Sequence, residues 1–288
     1  MKKINRYLMY NFCYVILSYN RANNLKTLKL LNNCNYPIVI LCGDDEPQKE
    51  EYNKLENEKI KVYYFNKVEE QKQTDDGINN NKLKAVVYAR NYIWKLMQDL
   101  NYEYFCVLDD DYISLTFLQK NEKNKKEEIK VKDWDKISNI MINFLKNTKI
   151  DCISFLQGGD LIGGTSNKLF FKRQVKKKIM NVFYCRTKTP FYFFGKINED
   201  VNSYLVNLRN YGKIMFSLPF LKIDQTQTQK NKGGLTDIYL DVETYVKSFF
   251  SVMYCPSACK ISIMGNKNKR IHHKLCIDNY APAILRQK

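Results

Sequence analysis

The residues with the greatest chemical reach in this sequence are three consecutive carboxylates, Asp109-Asp110-Asp111, closing the apolar run Tyr104-Phe105-Cys106-Val107-Leu108. Such a run predicts a strand covered on both faces, and carboxylates at its carboxyl end lie in the crevice where open α/β sheets bind ligands. The alternate members, Asp109 and Asp111, can chelate a hard cation that in turn bridges two phosphates. A second acidic pair, in Ile197-Asn198-Glu199-Asp200-Val201, opens a segment of helical period. It acts there either as a partner of the helix dipole or as a general base for an acceptor hydroxyl, whose pKa lies far above neutrality. Asp200 is the first choice for that base and Glu199 the second. The chain's only two histidines are adjacent, in Arg270-Ile271-His272-His273-Lys274. One of them can ligate a metal while the basic neighbours contact phosphate, and His272 and His273 qualify equally.

Weaker signals recur at other predicted strand ends. Leu17-Ser18-Tyr19-Asn20-Arg21 forms a turn into a helix, able to offer backbone N–H groups, Ser18 and Arg21 to a nucleotide. Asp44 or Asp45 can accept from its base or ribose, and Arg90-Asn91 and Asp110 can reach the same cleft.

The elements that must position these residues alternate short apolar runs with helix-period segments, which predicts βαβ units and parallel strands. Strands are expected at Phe12 to Leu17, Pro37 to Cys42, Lys61 to Phe65, Tyr104 to Leu108 and Ile150 to Leu156. Helices are expected after Leu25, over Glu50 to Leu55, Lys82 to Leu100 and Trp134 to Leu145, and over Asn198 to Tyr211. Lys67 to Asn81 reads as a polar loop over the carboxyl edge of the sheet, and Lys120 to Lys132 as a solvated charged excursion. Gly158-Gly159 and Gly163-Gly164 favour turns and close backbone approach. Thr226 to Lys288 reads as a loop-rich closure of the same domain, and neither an internal repeat nor a clean linker interrupts the chain.

Length and composition bound the function. A chain of 288 residues, 44% hydrophobic and 14% aromatic, excludes wholesale disorder and has enough sequence to bury a core. Its apolar runs fall far short of a membrane span, and polar residues interrupt the N-terminal stretch after Arg6, so a cytosolic site and no membrane partner are expected. The balance of 47 basic to 30 acidic residues gives +17, compatible with a polyanionic partner, although the wealth of Lys, Asn, Ile and Tyr also reflects AT-rich codons. Nine scattered cysteines, several within apolar runs, are those of a reduced, buried set.

Taken together, Ile16-Leu17-Ser18-Tyr19-Asn20-Arg21-Ala22-Asn23-Asn24-Leu25-Lys26-Thr27, Ala89-Arg90-Asn91, Leu108-Asp109-Asp110-Asp111 and Asn198-Glu199-Asp200-Val201 resemble the TET-associated glycosyltransferases of bacteriophages and their relatives. The resemblance runs from about Phe12 to His273. It implies an α/β GT-A-type fold, a Rossmann-like nucleotide-sugar-binding domain with a mixed central sheet and a loop-rich C-terminal part. One domain over 1–288 is expected, with the donor half in 1–115 and the acceptor half in 116–288. The implied reaction moves a sugar from a nucleotide donor such as UDP-glucose to a 5-hydroxymethylpyrimidine in DNA, in the first place 5-hydroxymethylcytosine, in the host cytoplasm. Manganese or magnesium is the implied cofactor, held by Asp109, Asp111 and one of His272 and His273, with Asp200 as base. Asp111 departs from the family's usual Asp-Asp-Asn and leaves the liganding pair open, and Tyr19-Asn20 stands where Lys-Gly is common. Reaching a base inside duplex DNA calls for flipping it out, for which Phe191-Tyr192-Phe193-Phe194 is either a stacking surface or part of the core. The same donor site would serve a protein, lipid or polysaccharide acceptor. A non-catalytic nucleic-acid-binding protein would instead use the acidic triplet as a surface turn.

Overall fold

In the computed structural model the described residues are 9–77, 83–161, 167–172, 179–180, 182–226, 244–264 and 269–276. Its frame is a nine-stranded mixed sheet. Four parallel strands come first: β1 (Phe12–Leu17), β2 (Ile38–Gly43), β3 (Ile60–Phe65) and β4 (Tyr104–Asp109), in the spatial order β3-β2-β1-β4. Beyond β4 the sheet continues β8-β7-β9-β5-β6, from β5 (Tyr112–Lys120), β6 (Lys126–Lys130), β7 (Cys152–Gln157), β8 (Phe183–Arg186) and β9 (Met215–Gln225). Within this second part only β7 and β9 are parallel, and the other pairs are antiparallel. The expected mixed sheet is therefore present, with its parallel half built from the first 109 positions.

Eight helices of the described residues are α1 (Lys26–Leu30), α2 (Lys49–Asn53), α3 (Lys67–Gln73), α4 (Val86–Asp99), α5 (Trp134–Lys146), α6 (Lys168–Phe171), α7 (Glu199–Asn210) and α8 (Thr244–Tyr254). A two-stranded antiparallel ladder, β10 (Cys259–Met264) with β11 (Arg270–Leu275), completes them.

The apolar strands are buried on both faces. In β1, Cys13, Val15 and Leu17 join one core with Val87, Tyr88, Trp94 and Met97 of α4 and Val201 and Tyr204 of α7. Phe12, Tyr14 and Ile16 join the opposite core with Trp134, Met141, Ile142 and Leu145 of α5. Strand β4 divides in the same way, Phe105 and Val107 toward α4, Tyr104, Cys106 and Leu108 away from it. This two-residue alternation is the pleat of a strand, and it governs the site at the end of β4.

Three expectations need correction. Lys67–Gln73 is a helix, not a loop: Asn66 caps it by accepting from the Glu69 N–H at 3.0 Å, and an N-cap of that kind outweighs the polar composition. Lys126–Lys130 is solvated as expected yet forms a regular strand, because pairing with β5 satisfies its backbone while its side chains remain exposed. The C-terminal part is less loop-rich than expected, since α8 and the β10–β11 ladder occupy much of 244–275. Gly158-Gly159 lies in a 3-10 turn, whereas Gly163-Gly164 falls outside the described residues. All nine cysteines are free thiols and eight are buried.

Candidate functional site

The carboxyl ends of β1, β2, β3 and β4 share one edge of the sheet, and the sequence-predicted donor-site residues collect there. Asp109 is the last residue of β4 and Asp110 the first of the turn that follows, and their side chains go to opposite sides. Asp109 follows Phe105 and Val107 toward α4, where Arg90 Nη2 donates to its Oδ1 at 3.3 Å and the Tyr112 hydroxyl to its Oδ2, also at 3.3 Å. Asp110 turns to the other side and is buried. Its carboxylate takes Ser18 Oγ and Arg21 Nη1, each at 2.6 Å. Ser18 Oγ also lies 2.6 Å from the Tyr52 hydroxyl. Asp110 thus fastens the β1 turn to the end of β4, and Arg21 is engaged with it.

Asp111 is different. Its carboxylate is buried, it has no ion pair among the described residues, and its hydrogen-bond partner there is Thr226 Oγ1 at 3.5 Å. Burial, reinforced by the charges of Asp109 and Asp110 and opposed by Arg21, pushes its pKa up to about 6. Three carboxylates this close call for more positive charge than Arg21 and Arg90 supply.

The backbone under the triplet is held by Thr27 of α1. Its N–H donates to Asp110 O at 3.1 Å, its hydroxyl to Asp109 O at 2.5 Å, and Tyr112 N–H donates to that hydroxyl at 2.9 Å. Nothing in the spacing of Thr27 separates it from a surface threonine, so this role is legible only in the fold. Thr27→Val keeps the shape and strands the Tyr112 N–H, so an unfolding free energy lower by about 1–3 kcal/mol is expected in a urea titration, with Thr27→Ser near wild type.

At the end of β2, Asp44 and Asp45 are exposed. Asp44 Oδ1 accepts the Lys67 N–H at 3.2 Å, and Asp45 pairs with Lys67 Nζ at 2.6 Å, that ammonium lying 4.2 Å from the Tyr19 ring centroid. The buried neighbour Glu46, which sequence reasoning saw only as part of an acidic turn, accepts from the N–H groups of Asn20 at 2.8 Å and Gln48 at 2.9 Å. It stabilises Asn20 in the left-handed conformation, φ 56°, that turns the chain from β1 to Arg21.

Across the site from β4 stands the first turn of α7. Glu199 is buried and its Oε1 accepts from Arg90 Nη1 at 2.7 Å. Burial raises its carboxyl to about 7 against the pull of Arg90, and Asp200 and Asp109 raise it further. Asp200 is half-buried, and its Oδ1 accepts from its neighbour's backbone, the Val201 N–H, at 2.8 Å. Asn198 starts the helix at φ 54° and donates through Nδ2 to Lys247 O at 2.8 Å and Ser251 Oγ at 3.2 Å, docking α7 on α8.

The remaining expected residues lie elsewhere. Asn91 exchanges two hydrogen bonds with the Phe193 backbone, at 2.7 and 3.0 Å, and donates to Thr74 Oγ1 at 3.2 Å. Its amide is thus a brace for the aromatic run. Within that run Phe191 and Phe193 are core and Tyr192 is 53% exposed, the alternation of an extended segment. His272 and His273 sit on β11 with their rings 4.4 Å apart, His273 buried. Among the described residues no three His, Cys, Asp or Glu side chains gather closely enough to hold a cation, so neither histidine is brought to Asp109 and Asp111.

A family model described as TET-associated glycosyltransferase matches residues 12–234, most of the chain and all of the acidic positions above. The chain belongs to this family. It is a glycosyltransferase, and its acidic triplet and α7 pair lie inside the matched region. No curated protein matches the sequence. Among solved structures, a mycobacterial protein is similar at TM-score 0.43 and 6% identity, covering 94% of this chain and 88% of its own. Glucosyl-3-phosphoglycerate synthase from Mycobacterium tuberculosis, crystallised with Mn2+, UDP-glucose and phosphoglyceric acid, is similar at TM-score 0.46 and 7% identity, covering 91% and 86%. The assignment rests on the family match.

Asp109 and Asp111 offer donors of the kind a hard divalent cation takes. Asp111 supplies a buried oxygen pair short of positive charge, Asp109 lies two positions away on the same edge, and the donor set is all oxygen, as magnesium and manganese prefer. Two carboxylates suffice when substrate phosphates and water complete the shell. No helix of the described residues is long and apolar enough to cross a membrane.

Proposed function

We propose that this glycosyltransferase uses a nucleotide-sugar donor, UDP-glucose first among candidates, and transfers the sugar to a 5-hydroxymethylpyrimidine in DNA, first 5-hydroxymethylcytosine. The observation that carries the donor side is Asp111, a buried carboxylate beside Asp109 at the carboxyl edge of four parallel strands, its pKa raised to about 6 by burial and by the charges of Asp109 and Asp110. Asp109 and Asp111 would hold manganese or magnesium, which supplies charge stabilisation for a departing diphosphate. The protein's own contribution is positional. Asp110, Ser18 and Arg21 keep the β1 turn against β4, and Glu46 shapes the turn at Asn20.

Asp200 takes the acceptor proton in this reading. It is the half-exposed member of the α7 pair, whereas Glu199 is buried against Arg90. A carboxylate that removes the hydroxyl proton as the new bond forms suits direct displacement. The DNA acceptor is supported by the family description and by the +17 charge, which favours phosphate neutralisation. Tyr192 is the ring of the aromatic run left open for stacking on a displaced base. The chain from 1 to 288 is taken as one catalytic unit, with donor binding in 1–115 and acceptor binding in 116–288.

The test is incubation with UDP-glucose and manganese on duplex DNA carrying 5-hydroxymethylcytosine, read by mass spectrometry of the nucleosides. A hexose added to the modified base is expected; UDP binding without such a product would reject this acceptor and retain the donor site. In the same system Tyr192→Ala should weaken DNA binding in fluorescence anisotropy by about 1–3 kcal/mol, the range for one base–aromatic stack, with UDP affinity unchanged.

A further inference from the structure

Arg90 joins the two halves of the proposed site. Its side chain is 4% exposed, among the buried residues of α4. Nη1 reaches Glu199 Oε1 at 2.7 Å, 109 positions later in the chain, and Nη2 reaches Asp109 Oδ1 at 3.3 Å. The guanidinium lies 4.9 Å from the Phe183 ring centroid and 5.3 Å from that of Phe193. The Phe193 backbone is in turn held by Asn91, the residue after Arg90, which donates to its carbonyl and accepts from its N–H. Nε has no hydrogen-bond partner among the described residues, so the two terminal nitrogens carry the hydrogen bonding.

This geometry differs from that of a phosphate or nucleotide contact. The guanidinium is covered by two rings, and both terminal nitrogens face carboxylates of the protein. A buried ion pair of this kind adds little net stability over an apolar replacement, and its best-attested use is to fix how elements meet. The planar fork of arginine can bridge two carboxylates at a set angle, which the single ammonium of lysine cannot do.

We propose that Arg90 is a positioning residue: it ties the first turn of α7 to the carboxyl end of β4 and so fixes the separation between Asp200 and the donor-side carboxylates. This rests on the reading of Asp200 as base and Asp109 as donor-side ligand. Glu199 then serves as the anchor on α7, and Asp200, one residue on and half-exposed, is aimed at the acceptor by that anchor.

The test uses the full chain with UDP-glucose, manganese and the hydroxymethylcytosine duplex, comparing wild type with Arg90→Lys, Glu199→Gln and the double variant Arg90→Met/Glu199→Leu. The double variant removes Arg90 and the buried Glu199 together, so the carboxylate that loses its partner is Asp109, whose side chain is 29% exposed at the sheet edge. Melting temperature, calorimetric UDP affinity, kcat and KM are read for each. Arg90→Lys and the double variant should stay folded, keep KM for UDP-glucose within about threefold and lose about thirtyfold or more in kcat, as misplacement of a reacting group by about an ångström would give. Glu199→Gln, whose amide oxygen still accepts from Arg90, should lose less than about tenfold.

A raised KM with unchanged kcat in Arg90→Lys would make Arg90 a donor contact and overturn the proposal. So would a loss in Glu199→Gln as deep as that in Asp200→Asn, which would make Glu199 the base. Failure of the underlying reading shows separately, in wild type. Without UDP binding the donor site is wrong and the proposal falls with it. With UDP binding but unmodified DNA, only the acceptor is wrong, and the same kcat comparison is made on hydrolysis of UDP-glucose by water.

Discussion

Asp111→Ala is expected to abolish manganese-dependent binding of UDP. In titration calorimetry the wild type should bind UDP with manganese and far more weakly without it. The variant should lose at least about 2 kcal/mol, roughly thirtyfold in Kd, of the manganese-dependent part. The effect is large because Asp111 is the carboxylate of the triplet without an ion pair among the described residues; Asp109 is drawn on by Arg90 and Asp110 by Arg21. Removing it also removes a buried charge that repels two neighbours, so the metal-free variant should melt no lower than wild type. Equal UDP affinity with and without manganese in the wild type would refute this.

The same site makes the affinity pH-dependent. A ligand must be deprotonated to bind metal, and burial pushes the Asp111 carboxyl up to about 6. Above that pH it is ionised and ready. Below it a proton must first be displaced, so apparent affinity should fall by up to about tenfold per pH unit as the solution is acidified. Titrations from pH 7.5 down to 5 read this directly, and a flat profile across that range would contradict the placement of Asp111.

Asp200→Asn should lower kcat for transfer by about a thousandfold while UDP binding is retained, the scale expected for loss of a general base on a poorly acidic hydroxyl. Asparagine matches the size of the carboxylate and still accepts from the Val201 N–H, so the α7 start is preserved. Radiolabelled glucose transfer under single-turnover conditions separates this loss from product release. If Asp200→Asn transfers at wild-type rate while Glu199→Gln is inactive, the base is Glu199 and the roles within the pair are exchanged. The proposal assigns the base to Asp200 because Glu199 Oε1 already accepts from Arg90 Nη1 inside the fold.

Much of the donor half was legible in the sequence. Phe12–Leu17 reads as a strand residue for residue, and the ends of β2, β3 and β4 fall within one position of expectation, because buried parallel strands are continuous apolar runs bounded by polar turns. The sequence likewise singled out Asp109–Asp111 and Glu199-Asp200, since clustered carboxylates after an apolar strand or at a helix start are visible without coordinates. It could not say that α3 is a helix capped by Asn66, as one cap outweighed a polar composition.

By itself, then, the sequence determined the parallel first half, the acidic positions and the family. The tertiary structure decided which partners each carboxylate has. Asp109, Asp110 and Asp111 are chemically identical and adjacent, yet the end of β4 brings Asp109 to Arg90 and the turn after it brings Asp110 to Ser18 and Arg21. Asp111 is left buried with its charge uncompensated by an ion pair among the described residues. The same holds for Glu199 and Asp200, where one residue's rotation about α7 separates a buried side chain paired with Arg90 from a half-exposed one. Identity and spacing are local properties of the chain, whereas burial and partnership depend on residues as far as 115 positions apart, such as Asp111 and Thr226, that meet only in the folded protein.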